Sequence, residues 1–123
     1  MRPELARLRV ERHGETALAR IAGEVDSSNV GDLSQRLLAA VPNQARALVL
    51  DLSETSYIDS TGISLIFDAA ARLRNRRQEL RLVVTPRSFV GEVLAAVSME
   101  QSVAIDPALD EALRAVGGER DRL

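Results

Sequence analysis

The sequence predicts an α/β fold built on a mixed, mostly parallel sheet, and three observations predict it. Two extended segments open the chain, after which helix-spaced apolar stripes alternate with short strand-like apolar runs. That alternation implies parallel strands joined by helical crossovers. The run Ala47–Leu52 is almost continuously apolar, as suits a strand covered on both faces. Finally, 123 residues of which 46% are hydrophobic can enclose a core of ordinary domain size. One domain is expected over residues 1–123, its core at about 5–117, with fraying of the last segment, Glu119 to Leu123.

Each element follows from local pattern. Leu5 to Arg12 alternates apolar Leu8 and Val10 with Arg7, Arg9 and Glu11; His13 to Glu15 reads as a turn and Thr16 to Ala22 as a return strand, giving an N-terminal hairpin. Gly23 is expected to end that strand. Val30, Leu33, Leu37, Leu38 and Val41 have helical spacing, closed by Pro42. After the strand Ala47–Leu52, a second stripe of Ile63, Ile66, Ala69, Ala70 and Leu73 ends at Arg74 to Arg77. Leu80 to Val84 is the next strand. Thr85 and Pro86 read as the cap and first-turn proline of a third helix, with Phe89, Val90, Val93, Leu94 and Val97 as its apolar stripe. A short strand over Ser102 to Ile105 follows. Asp106-Pro107 is then expected to start a last helix carrying Leu109, Ala112, Leu113 and Val116, stopped by Gly117-Gly118.

Composition narrows the function. A net charge of −2 gives no reason to expect direct binding of nucleic acid. All 16 basic residues are arginine. The absence of cysteine removes disulfides, thiolate metal sites and thiol nucleophiles. The N-terminus is too charged for a secretory signal, and no stretch approaches a membrane span, so a cytoplasmic protein is expected. No cofactor and no metal site is called for.

Two loops stand out. Gly23 to Asn29 (GEVDSSN) leads into the first helix, and Ser56 to Gly62 (SYIDSTG) into the second. Sites in open α/β sheets gather at the carboxyl ends of strands, where helices begin. If the strands leading to these loops are parallel neighbours, Asp26 and the Asp59-Ser60-Thr61 group share that edge. Ser60 has an ordinary reading as a helix cap, worth about 1 kcal/mol. The same position suits a phosphate, whose charge of about −1.5 to −2 a helix N-terminus accepts. Asp59 reads as a complement to the dipole and Asp26 as a cap of the first helix. Gly62 reads as a point of close backbone approach.

In these residues the chain resembles the STAS domain family, in particular the bacterial anti-sigma factor antagonists. The resemblance rests on GEVD (Gly23 to Asp26) after a hairpin, an apolar strand, and IDSTGISLI (Ile58 to Ile66), and spans roughly residues 5 to 117. It implies a partner switch. The unmodified antagonist binds an anti-sigma factor, a serine kinase with an ATP-binding fold, and so frees a sigma factor; the kinase phosphorylates the first hydroxyl residue after the motif acid, and a serine phosphatase reverses this. Carried over, the acceptor is Ser60, and Asp26, Asp59, Ser60, Thr61 and Gly62 form the partner-binding group. One departure is Ser64, where antagonists commonly carry glycine or a small apolar residue; it bears on the contact surface at that helix start.

The same fold serves other roles. Small STAS proteins also serve as non-catalytic subunits of lipid-transport ATP-binding-cassette complexes or of stress-sensing scaffolds. An enzyme with Ser60 as nucleophile needs a general base. The one histidine, His13, is in the N-terminal turn, and no lysine, G-x-S-x-G elbow, Walker A loop or H-E-x-x-H motif is present, so no catalysis is expected. Arg72, Arg74, Arg76 and Arg77 suggest an anionic partner, but complementing a helix C-terminus is the favoured reading. Tyr57 is either a second exposed contact or a strand residue packed on the sheet.

Overall fold

The computed structural model describes residues 6–121, with side chains as far as residue 117. The chain runs β1 (Ala6–His13), β2 (Thr16–Val25), α1 (Val30–Ala39), β3 (Ala47–Asp51), β4 (Thr55–Ile58), α2 (Ser60–Asn75), β5 (Glu79–Val83), α3 (Phe89–Ala96), a short 3₁₀ turn (Met99–Gln101), β6 (Ala104–Asp106) and α4 (Leu109–Asp121). The sheet order is β1-β2-β3-β5-β6, with β4 pairing β2 off that path. Only β1 with β2 is antiparallel; every other pairing is parallel. The mixed, mostly parallel α/β fold is therefore what the alternation predicts.

Side-chain alternation along β2 divides the core. Ala17, Ala19 and Ile21 face a large cluster that includes Leu33 and Leu37 of α1, Leu65 and Ile66 of α2, and Val90 and Leu94 of α3. Leu18, Val49 and Val83 face the other side, where α4 covers them with Ala112, flanked by Leu109, Leu113 and Val116. All five residues of β3 are buried, which explains its unbroken apolar run. Burying each such leucine contributes about 2 kcal/mol.

Several boundaries differ from expectation, each for a local reason. Strand β2 does not stop at Gly23. Gly23 adopts φ 103, a conformation glycine tolerates, and the register shifts there, so the strand leaves β3 and continues to Val25 beside β4. Strand β4 is missed by periodicity: it has four residues, with Thr55 and Ile58 buried and Ser56 and Tyr57 exposed, so it does not alternate. Strand β6 begins and ends a residue or two later than expected, and Asp106 is its last residue instead of a helix start. The Asp106 carboxylate binds Arg81 at 2.6 Å and ties β6 to β5. Thr85 does not cap α3; Ser88 does, and Thr85 supplies a carbonyl to it. Helix α4 passes through Gly117-Gly118 to Asp121. Those glycines remain in the helix because each costs only about 1 kcal/mol relative to alanine. Leu5 lies outside the described residues, as do 122 and 123 of the tail expected to fray; 119–121 continue α4.

Candidate functional site

Register brings the two sequence-marked loops together. Val25 of β2 is the parallel partner of Ile58 of β4, so Asp26 and Asp59 leave adjacent strands at the same level. The backbone N–H of Asp59 donates to the carbonyl of Val25 at 3.3 Å, closing the gap between the loops. The shared edge expected from topology is therefore present, although β4 rather than β3 forms its second wall.

Asp59, not Ser60, is the N-cap of α2. Asp59 has extended backbone, and its Oδ1 accepts from the Thr61 N–H at 2.9 Å, the Thr61 hydroxyl at 2.5 Å and the Gly62 N–H at 3.3 Å. The Thr61 hydroxyl bond, ahead of the amides of Gly62, Thr61 and Ser27, holds the Asp59 carboxyl below the ordinary carboxylate range against some desolvation. Ser60 is thereby the first residue inside the helix. It is exposed, and its hydroxyl makes no hydrogen bond among the described residues. Thr61 is half-buried and its hydroxyl is engaged.

The first loop is arranged differently. Asp26 does not cap α1. Its Oδ1 accepts from the N–H and hydroxyl of Ser28 at 2.9 and 2.6 Å, while its own N–H donates to Asn29 Oδ1. Asn29 is the N-cap by position and makes no side-chain cap; its amide donates to the carbonyl of Glu24. Asp26 thus holds a turn that leaves Ser27 and Ser28 exposed.

Gly62 is buried, and its role is packing against side chains. A Cβ there would lie 2.5 Å from Ile58 Cγ1 and 3.0 Å from Val25 Cγ1, the residues just before the two aspartates. Glycine is therefore what lets α2 sit down on both strand ends. Ser64 is exposed one turn after Ser60, and Phe67 follows on the same helix face.

Tyr57 is 40% exposed, and its ring stacks on Phe89, the first residue of α3, at 5.6 Å and 12°. Sequence reading places Phe89 and Val97 in the core stripe of α3. They are 53% and 41% exposed, because Val90 and Leu94 alone fill the buried stripe. A signal was available: Phe89, Val93 and Val97 form a second i, i+4, i+8 row beside Val90 and Leu94. All three aromatic residues of the chain, Tyr57, Phe67 and Phe89, are among its exposed large side chains.

His13 lies at the other end of the molecule. It pairs with Thr16 at the start of β2, whereas Asp26 follows the end of that ten-residue strand, roughly 30 Å away. His13 therefore cannot act as a base for Ser60. Among the described residues no group of three or more His, Cys, Asp or Glu side chains could hold a metal ion, and no helix is long and apolar enough to cross a membrane.

A family model described as the STAS domain matches residues 7–112. An anti-sigma-B factor antagonist of Listeria monocytogenes is 36% identical over 62 residues, 50% of this chain and 54% of that protein; the match spans about half the length of this curated relative. Among solved structures, an anti-sigma factor antagonist from Mycobacterium paratuberculosis superposes with a TM-score of 0.81 at 24% identity, covering 90% of this chain and 93% of that one. The Bacillus cell fate determinant SpoIIAA in its phosphorylated form superposes with a TM-score of 0.62 at 19% identity, covering 89% and 99%. At these identities the two structures share the fold with this chain.

Proposed function

The chain belongs to the STAS domain family, and from that premise we propose that it is an anti-sigma factor antagonist switched by phosphorylation of Ser60. The unmodified protein binds an anti-sigma factor that is also a serine kinase with an ATP-binding fold, and so frees a sigma factor. The kinase phosphorylates Ser60 and ends the interaction; a serine phosphatase restores it. These partners make the protein a cytoplasmic regulator with no catalysis of its own.

One observation carries the reading: Asp59 performs the capping, so the Ser60 hydroxyl stands exposed at a helix start and, among the described residues, unbonded. Thr61 is a poorer acceptor because its hydroxyl is already committed to Asp59. A phosphate on Ser60 meets the positive end of α2 and leaves the cap untouched, so the fold survives. What changes is the surface, which gains about −1.5 to −2 charges beside Asp26 and Asp59. Against an acidic or apolar partner surface, repulsion and desolvation of that order lower affinity by roughly a hundredfold or more.

Asp26, Asp59, Ser60 and Thr61 form the polar centre of the contact. Gly62 enters as the residue that seats the helix, and the stacked Tyr57–Phe89 pair supplies an aromatic flank of the kind enriched in protein interfaces. The name of the Listeria relative supports the antagonist role, and the phosphorylated SpoIIAA structure supports a phosphate on this fold.

A paired pull-down from the source cells, with wild-type and Ser60→Asp protein as baits, tests the proposal. Wild-type protein is expected to capture an ATP-binding serine kinase that Ser60→Asp loses. Capture of a transporter ATPase or a large scaffold by both baits would contradict it.

A further inference from the structure

At the edge of the sheet opposite Ser60, where the strands begin, a cleft of about 520 Å³ is lined by Arg46, Arg74, Arg77, Gln78 and Glu79, with Val116 of α4 beside them. We propose that this cleft binds a small phosphate-bearing molecule through the three guanidinium groups. The inference is independent of the Ser60 reading.

Three observations support it. The arginines come from separate places: Arg46 precedes β3, Arg74 is in the last turn of α2, and Arg77 lies beyond that helix. Among the described residues none of their side chains makes a hydrogen bond or ion pair, in contrast to Arg36, Arg81 and Arg114, which pair with acids. The lining carboxylate, Glu79, already accepts from Arg81 at 2.9 Å. Complementing the α2 dipole accounts for Arg74 but not for Arg46, which belongs to another element.

The conformation of Arg77 is the second observation. Its φ is 60, and it closes α2 as the left-handed residue of a Schellman motif: its N–H donates to the carbonyl of Arg74, and that of Gln78 to Leu73. Glycine is the usual occupant, because a side chain is strained there. A strained arginine among the residues lining a cleft with other arginines points to a use for its side chain.

The third is Gln78. It is 6% exposed, and its Nε2 donates to the carbonyls of Pro42, Asn43 and Ala45, so the cleft floor is tied to the loop before β3. Its Oε1 is buried with no donor among the described residues. That oxygen calls for a donor, whereas an anionic phosphate offers accepting oxygens, so it takes no part in the proposed contact, which falls to the arginines. The volume falls in the range of small-molecule sites, roughly 300–1,000 Å³, and the planar fork of arginine matches phosphate oxygens.

The test is a titration of the ¹⁵N-labelled protein with inorganic tripolyphosphate at constant ionic strength. Saturable shifts are expected at the amides of Arg46, Arg74, Arg77, Gln78 and Glu79 and not at Asp26 or residues 59–62. Arg77→Gly relieves the backbone strain, so it is expected to raise the melting temperature while weakening tripolyphosphate roughly tenfold, the scale of a charge-assisted contact. Arg46→Ala is expected to weaken it similarly with the fold unchanged, and Ser60→Asp to leave it unaltered. Non-saturating shifts, shifts centred on the start of α2, unchanged binding by Arg77→Gly, or citrate binding as tightly as tripolyphosphate would each overturn the proposal.

Discussion

Ser60 and Ser88 both stand at the start of a helix, and they do opposite things. Ser88 is an N-cap: its Oγ accepts from the Gly91 N–H at 3.0 Å and donates to the Thr85 carbonyl at 2.7 Å. Ser60 is one position further in, because Asp59 occupies the cap and takes the N–H groups of Thr61 and Gly62. A shift of one residue separates a hydroxyl consumed by structure from one left over. The lesson is that an acid placed before a serine can relieve it of capping. The serine then sits in a favourable field for added negative charge without being needed by the fold.

The comparison can be sharpened by substitution, taken from the largest effect to the smallest. Gly62→Ala drives a Cβ to within 2.5 Å of Ile58, a side chain that is itself 3% exposed and has little room to yield. Overpacking of this kind costs about 1–3 kcal/mol, measurable by urea unfolding. Ser88→Ala removes a working cap and is expected to cost about 1 kcal/mol by the same measurement. Ser60→Ala is expected to stay within about 0.5 kcal/mol of wild type, as at an ordinary surface position. Equal losses from the two alanine substitutions would break the distinction.

Acid sharpens it from the other side. The folded carboxyl of Asp59 is held below its ordinary value of 3.8, chiefly by the Thr61 hydroxyl. A depressed folded pKa stabilises fully above the unfolded value, and that contribution fades as pH falls through the folded one. The stability gap between wild type and Asp59→Ala is therefore expected to be flat near neutrality and to narrow once pH drops below the ordinary carboxylate range. Urea unfolding at a series of pH values checks this. A gap that widens in acid would mean that the charged form of Asp59 is not what caps α2.

Much of this was legible in the sequence, for physical reasons. Strand β3 shows itself because both faces are covered, and α2 because its buried residues recur at helical spacing. Asp26 and Asp59 could be placed on one edge from topology alone. Strand β4 could not be read, since four residues without alternation carry no period, and its partner is chosen by the bend at Gly23. Pattern alone does not fix the helix starts: Asp, Ser and Thr are all acceptable caps, and only backbone geometry selects Asp59 over Ser60 and Ser88 over Thr85. The aromatic flank was hidden because Phe89 belongs to an apolar row adjacent to the buried one. The arginine cleft is half visible: Arg74 and Arg77 stand close in the sequence, but Arg46 joins them only when β3 and β5 pair.

The central claim is that Ser60 is the hydroxyl available for writing. The most direct measurement is to incubate the protein with ATP and the serine kinase captured by the wild-type bait, then map phosphate by peptide mass spectrometry. A single phosphate on Ser60, with Thr61, Ser64 and Ser88 unmodified and release of the kinase on modification, is the predicted result. Phosphate on Thr61 or Ser88 instead, or stable kinase binding that survives full modification of Ser60, would contradict the account.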